Sequence, residues 1–272
     1  ILLNSKSPYH ENGLGNSSNM VGKYLHDSTG TNNMAFIPDL MNRKTYNEDG
    51  MGNMHLYSPW WLDNKNLDFP RGYHIEITGG LGAPSYGFGF DFNSSNKFFG
   101  LESGGYGDRV RAEVKKYYGS VIGLWSRGES VPNKNNYCEI HPEKKDKYGI
   151  PILRFNYKWS DYERKQAKHM NETVKEIVHN IGGHMLWENG GSDNGLITPG
   201  EVIHEVGTTR MGNNPKTSVV NKYEQLHDAK NVFIVDGGPF VSQADKNPTW
   251  TIMALSWRTS EYIIDELKKQ NI

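Results

Sequence analysis

A strand-to-helix junction in the middle of the chain constrains the fold more than any other feature. Gly149 to Trp159 (GIPILRFNYKW) reads as a strand. Directly after it, Ser160 and Glu163 form the capping-box pattern, in which serine caps a backbone N–H and glutamate reaches back. Met170, Val174, Ile177 and Ile181 then recur at helical spacing, and Gly182-Gly183 closes the run. Tyr73 to Thr78 (YHIEIT) alternates apolar and polar residues as a half-buried strand does, and it is expected to share a sheet with Ile152–Trp159. Asp108 to Tyr118 reads as a helix. Asn231 to Val235 (NVFIV) is a short continuous apolar run, as in a strand covered on both faces. Asn247-Pro248 opens a helix to about Lys268, since Asn can cap and Pro fits the first turn. Val21–Asp27 (VGKYLHD) is helix-like, and residues 28–70 read mainly as loop with short strands. The class is α+β, a mixture of helix with an antiparallel or mixed sheet.

Composition excludes several functions. Lys+Arg number 30 against Asp+Glu 31, a formal charge of −1, so the basic surplus of a nucleic-acid binder is missing. One cysteine, Cys138, rules out an internal disulfide framework and any multi-cysteine metal motif. No run approaches the roughly eighteen apolar residues of a membrane span, and no signal peptide is visible. The chain opens on Ile-Leu-Leu without Met, which reads as the end of an element already under way, so a cut N-terminus is expected. Nothing in the residues decides between bacterial cytoplasm and periplasm.

Motif searches are mostly negative. GxGxxG is absent, since GLGNSS fails at its final position; GxxxxGK[ST], HExxH and GxSxG are absent too. His179 and His184 are five apart, poor spacing for two ligands on one helix face, so no metal is expected. One region rises above this background. Ile203–Gly212 reads IHEVGTTRMG, NVFIVDGGPF follows, and then KNPTWTIMAL delivers Asn247 to a helix N-terminus. Asp236 and Gly237 at a strand's carboxyl end are placed to meet a ligand. Free N–H groups at the helix start near Pro248 suit a group that becomes anionic.

HEVGTTRMG, DGG and NPTWTIMAL, in that order and spacing, resemble the glucose–methanol–choline (GMC) flavoprotein oxidoreductases, within them the gluconate 2-dehydrogenase-like bacterial branch. ILLNSKSPYHENGLGNSSNMVGKYLHDS is similar to the family segment that leaves the flavin domain. VPNKNNYCEIHPEKKDKYGIPILRFNYKWSDYE is similar to a substrate-domain strand and helix. Residues 30–125 match loosely. The resemblance implies a domain plan: 1–35 and 196–272 as parts of an FAD-binding domain, 36–195 as a substrate-binding domain. The GxGxxG half is absent from this sequence, so the chain looks like the C-terminal half of such an enzyme.

What the resemblance implies for chemistry is concrete. His204 is the catalytic histidine that takes the alcohol proton, a role an imidazole can fill near neutral pH. Asn247 holds the substrate oxygen but cannot act as base. Asp236, Gly237, Pro248 and Thr249 are flavin-adjacent. FAD is the cofactor, and a chain lacking GxGxxG is not expected to retain it alone. The implied reaction oxidises a CH–OH group of a sugar, sugar acid or other alcohol, as a dehydrogenase more readily than as an oxidase. Partners are the missing flavin-binding half, a small-molecule substrate and an electron acceptor. The competing reading is a cofactor-free fragment serving as a binding or interaction module. Arg210 fits a structural ion pair equally well. Trp60, Trp61, Tyr86, Phe88 and Phe90 could face a sugar, though packing explains them better.

Overall fold

The computed structural model describes residues 1–41, 55–59, 66–79, 107–117, 119–188 and 193–272. The chain divides into two units, one of Ile1–Ser28, Glu129–Ser160 and Thr198–Ile272, the other of Thr29–Gly128 and Asp161–Ile197. Residues 129–160 therefore fall with the termini, inside the span that the sequence reading assigns to a single 36–195 domain. Trp60, Trp61, Tyr86, Phe88 and Phe90 lie outside the described residues.

The second unit is a five-stranded antiparallel sheet with a helix on it. Its strands are β1 (Thr29–Phe36), β2 (His55–Pro59), β3 (Tyr73–Gly79), β4 (Val121–Gly128) and β7 (His184–Glu188), in the order β2-β3-β4-β1-β7. Helix α1 spans Asp108–Tyr117 and helix α2 spans Asp161–Asn180, starting right after Ser160 as the capping pattern predicts. Met170, Val174 and Val178 of α2 are buried against Ala35, Tyr73, Ile75, Ile122 and Leu124 of the sheet. Each fully buried side chain of this size is worth roughly 1.5–3 kcal/mol. Ile181, expected on the same face, lies beyond the helix and is exposed.

Strand β1, eight residues long, falls in the span read as mainly loop with short strands, where the sequence locates no particular strand. TGTNNMAF shows no apolar alternation because it buries Thr29, Thr31 and Asn33, two of which are met by polar side chains of α2. Thr29 Oγ1 bonds Gln166 Oε1, and Asn33 Nδ2 donates to Asn171 Oδ1 at 3.0 Å. Paired burial of this kind costs little, and hydropathy does not register it.

The first unit is less regular. Strands β5 (Tyr137–Lys145) and β6 (Pro151–Asn156) form an antiparallel hairpin, and helix α3 spans Thr249–Lys268. Here four expectations are corrected. The strand read at Ile152–Trp159 ends at Asn156 and pairs with β5, not in the sheet of β3, because the tight turn at Asp146–Gly149 closes it onto its neighbour in sequence. Val21–Asp27 is not helical: Gly22 and Tyr24 have φ of +87° and +59°, and the backbone N–H groups of Gly22, Leu25 and His26 reach Thr208, Asn136 and Val206. Asn231–Val235 is no ladder strand; it makes one bridge, Gln225 to Phe233, and is only half-buried in its middle. Helix α3 appears where Asn247-Pro248 announces it, but Pro248 is the N-cap and no side chain caps the end, so Asn247 does not serve as the cap. The core of this unit is Met20, Val21, Val219, Val220 and Leu226. Among the described residues no helix is long and apolar enough to cross a membrane.

Candidate functional site

The segment from Glu205 to Met211 is the middle strip of three. On one side, Val206 exchanges backbone hydrogen bonds with His26, and Gly22 N donates to Thr208 O at 2.7 Å. On the other, Gly207, Thr209 and Met211 donate to the carbonyls of Gly237, Gly238 and Pro239 at 3.2, 3.0 and 2.8 Å. The motifs HEVGTTRMG and DGG thus lie side by side. A Cβ on Gly237 would sit 2.9 Å from Val206 Cγ1 and 3.3 Å from Glu205 O, so any larger residue there would have to displace the Val206 side chain.

His204 is half-buried at the head of this strip. Its backbone N–H donates to Asp27 Oδ1 at 3.0 Å, the same oxygen that takes Ser28 N–H at 2.8 Å, while Gly200 N–H donates to Asp27 Oδ2 at 3.2 Å. Ser28 Oγ lies 3.3 Å from His204 Nδ1 and accepts from Gln243 Nε2 at 2.9 Å. Just before the histidine, Ile203 sits at φ +64° with its side chain exposed. A β-branched residue there costs of order 1–3 kcal/mol, and such strain persists where surrounding bonds over-determine the backbone. Burial pushes the Asp27 carboxyl up to about 6; the backbone donors of His204, Gly200 and Ser28 pull it down, and Glu205 pushes it up again. Asp27 also opens onto a cavity of about 430 Å³ lined by Tyr157, Glu201 and Glu205.

Asp236 is exposed and accepts Gly238 N–H at 2.7 Å. It borders a largely apolar cavity of about 600 Å³ together with Val21, Cys138, Thr208, Thr209 and Ile234. Thr209 Oγ1, beside Gly238, is buried with no hydrogen-bond partner among the described residues. Pro248 is half-buried, Thr249 and Asn247 are exposed, and Ile252 in the first turn of α3 faces Gly237. The first turn of α3 therefore meets the DGG turn. Asn247 follows the buried Gln243 and Asp245 by four and two positions, and its chain is tied to His204 through Gln243 and Ser28. No hydrogen bond joins His204 to Asn247 among the described residues. Arg210 makes no ion pair there; its guanidinium lies 4.2 Å from the centre of the Tyr24 ring.

Sequence reasoning passed over Asp27, Ser28, Gln243 and Thr209. Asp27 and Ser28 stand inside the segment YLHDS, whose bearing on His204 appears only once the two strips pair. Gln243 carries no local signal at all.

The chain's similarity to known proteins includes this region. Residues 132–256 match the family model described as GMC oxidoreductase. A 2-methyl-1,2-propanediol dehydrogenase of Mycolicibacterium austroafricanum is 29% identical over 264 residues, 97% of this chain and 45% of that protein. A gluconate 2-dehydrogenase flavoprotein of Pantoea cypripedii is 28% identical over 166 residues, 60% of this chain and 27% of that protein. Among solved structures, a formate oxidase of Aspergillus oryzae RIB40 superposes with a TM-score of 0.57 at 12% identity, over 93% of this chain and 48% of the other. The chain thus spans about half the length, or less, of the proteins it matches.

Proposed function

Residues 132–256 match the GMC oxidoreductase family model, and from that match we propose that the chain is the C-terminal portion of an FAD-dependent oxidoreductase acting on a CH–OH group. The first unit is its share of the flavin domain and the second its substrate domain. Substrates are sugars, sugar acids or small diols, in keeping with the gluconate and 2-methyl-1,2-propanediol named for relatives. Both of those are dehydrogenases, which favours a separate electron acceptor over oxygen.

The observation that carries this reading is the pinning of His204. Its backbone is clamped by Asp27, its ring nitrogen meets Ser28, and DGG runs alongside its strip. A half-buried imidazole held in this way suits a base that must take a hydroxyl proton at neutral pH. Asn247 can donate to the same substrate oxygen but has no proton-accepting nitrogen.

The residues present fit one end of a flavin. Thr209 Oγ1 lacks a partner among the described residues and lies beside a cavity of about 600 Å³, within the range of cofactor pockets. Asp236 borders its rim with Gly237 next in sequence, and the first turn of α3, packed against Gly237, offers uncapped N–H groups to an anionic ring. Bound there, the flavin would supply the hydride acceptor. The part of the site that cradles a pyrophosphate needs a glycine-rich turn this sequence does not contain.

The deciding experiment is dye reduction by the flavin-loaded full-length protein with gluconate, 2-methyl-1,2-propanediol and a panel of sugars. His204→Gln should lower turnover about a hundredfold to ten-thousandfold while flavin content stays unchanged. Normal turnover in His204→Gln would exclude this histidine as the base. Failure of the full-length protein to bind flavin at all would favour the binding-module reading.

A further inference from the structure

We propose that Ser28 is a positioning residue for His204: its hydroxyl oxygen accepts the Nδ1–H of the imidazole, leaving the Nε2 lone pair to take up a proton. The proposal rests on the reading of His204 as base, and its geometry is local. Ser28 Oγ lies 3.3 Å from His204 Nδ1. Ser28 is fully buried, and Gln243, 2% exposed, donates its Nε2–H to the same oxygen at 2.9 Å.

Chemistry favours the acceptor role. An imidazole that takes up a proton becomes a donor at both nitrogens. A partner that donated to Nδ1 would serve the neutral ring in one tautomer and lose its bond on proton uptake. A hydroxyl oxygen has two lone pairs. One receives Gln243, and the other can receive Nδ1–H before and after the proton arrives at Nε2. The fixed tautomer is thus kept through the step, as the partner of a working histidine must keep it.

The main chain holds the pair in register. One oxygen, Asp27 Oδ1, takes the N–H groups of both Ser28 and His204, at 2.8 and 3.0 Å. The Asp27 carboxylate spends its bonds on the backbone donors of Ser28, Gly200 and His204, while the ring nitrogen Nδ1 faces the neutral Ser28 hydroxyl. Ile203 at φ +64° aims the next residue along a path that an unrestrained chain would avoid.

Two readouts test the idea. In protein labelled with ¹⁵N-histidine, His204 should show a protonated, pyrrole-type Nδ1 and an unprotonated Nε2. Ser28→Ala should move both nitrogens towards the average of the two tautomers. In the flavin-loaded full-length protein, Ser28→Ala should lower kcat by about tenfold to a hundredfold, a part of what loss of the base itself would cost, with KM little changed. Ser28→Thr, which keeps the hydroxyl, should recover most of the loss, and Gln243→Leu should reproduce a smaller share of it. Should Ser28→Ala fail to fold, Ser28→Cys keeps the volume with a poor acceptor and should show the same fall in kcat. A wild-type His204 protonated at Nε2, or a Ser28→Ala kcat within twofold of wild type while His204→Gln is inactive, overturns this proposal alone. Normal turnover in His204→Gln overturns it together with the assignment of the base.

Discussion

His26 and Val206 exchange both of their backbone hydrogen bonds, His26 N to Val206 O at 3.0 Å and Val206 N to His26 O at 2.8 Å. This single antiparallel bridge decides what surrounds His204. It fixes the strip ending in Asp27 and Ser28 against the strip beginning at His204, residues 176 positions apart in the case of Ser28 and His204. The local chain has no regular sheet to lean on, so the bridge and the Asp27 clamp replace one.

Gly207 sits one residue beyond that bridge, and its substitution should be costly. Its φ is +99°, and a Cβ would overlap Tyr24 O and lie 2.6 Å from two ring atoms of the buried His26. Gly207→Ala should lose roughly 2–4 kcal/mol, about 1 from the backbone and the rest from overpacking. Gly200, at φ +90° with its nearest neighbour at 3.6 Å, isolates the backbone part. Gly200→Ala should cost only about 1 kcal/mol. Urea unfolding of both variants measures the difference, and equal losses would mean that the strips do not approach so closely.

The Asp27 carboxyl makes stability fall as pH rises. Folded, it holds its proton up to about pH 6, against an ordinary value of 3.8. Between those values the folded chain binds more protons than the unfolded one, so unfolding free energy decreases with pH. The contribution is fully present below the ordinary value and is lost through pH 6. A gap of about two units corresponds to about 3 kcal/mol, and Glu224, raised by burial, acts in the same direction. Unfolding at pH 5 and pH 7.5 should show wild type losing about 1–2 kcal/mol more than Asp27→Asn over that interval. Parallel pH profiles for the two proteins would refute the assignment.

How much of this could be read from residues alone follows from what each element depends on. Helix α2 was legible because its buried face is apolar at regular spacing and its ends carry local signals. Strand β3 was legible as a strand by alternation, but not as half-buried, since His74 and Glu76 on its polar face are buried too. Strand β1 was not, because Thr29 and Asn33 find their partners on α2, far along the chain. NVFIV misled: its apolar run lines a cavity instead of filling a sheet. For the site, the order of HEVGTTRMG, DGG and NPTWTIMAL marked the right strips, since each carries its own glycine or proline punctuation. The residues that hold His204 stayed hidden because Asp27, Ser28 and Gln243 act through contacts that no spacing records.

The second unit offers a packing test. Met170 is fully buried and belongs to the core of α2 and the sheet, whereas Ile181, four residues past Ile177, is 45% exposed. Met170→Ala should cost about 2–5 kcal/mol through lost burial and the cavity left behind. Ile181→Ala should fall within about 0.5 kcal/mol of wild type, as surface substitutions do. Thermal or urea unfolding compares them. Similar losses for both would show that the helical stripe extends to Ile181 after all.

The outer face of α3 bears on flavin retention. Trp250, Met253, Trp257, Ile264 and Leu267 stand 87, 65, 72, 51 and 55% exposed along one side of the helix. Only Thr259 of that helix is buried. A soluble helix usually buries such a stripe, and contiguous apolar exposure marks an interaction surface. Relatives carry more than half their length beyond what aligns here, and a flavin-binding half is the segment proposed to cover it. The chain of 272 residues, purified alone, should then be colourless. Adding the flavin-binding half as a separate polypeptide with FAD should restore a flavin spectrum and shift tryptophan emission to the blue as Trp250 and Trp257 leave water. Trp250→Ala should weaken that association by about tenfold to a hundredfold, the value of roughly 1.5–3 kcal/mol of lost burial. A yellow protein from the chain alone, with one flavin per chain, would remove the need for a second half. Restored flavin without any change in tryptophan emission would place the contact on another face.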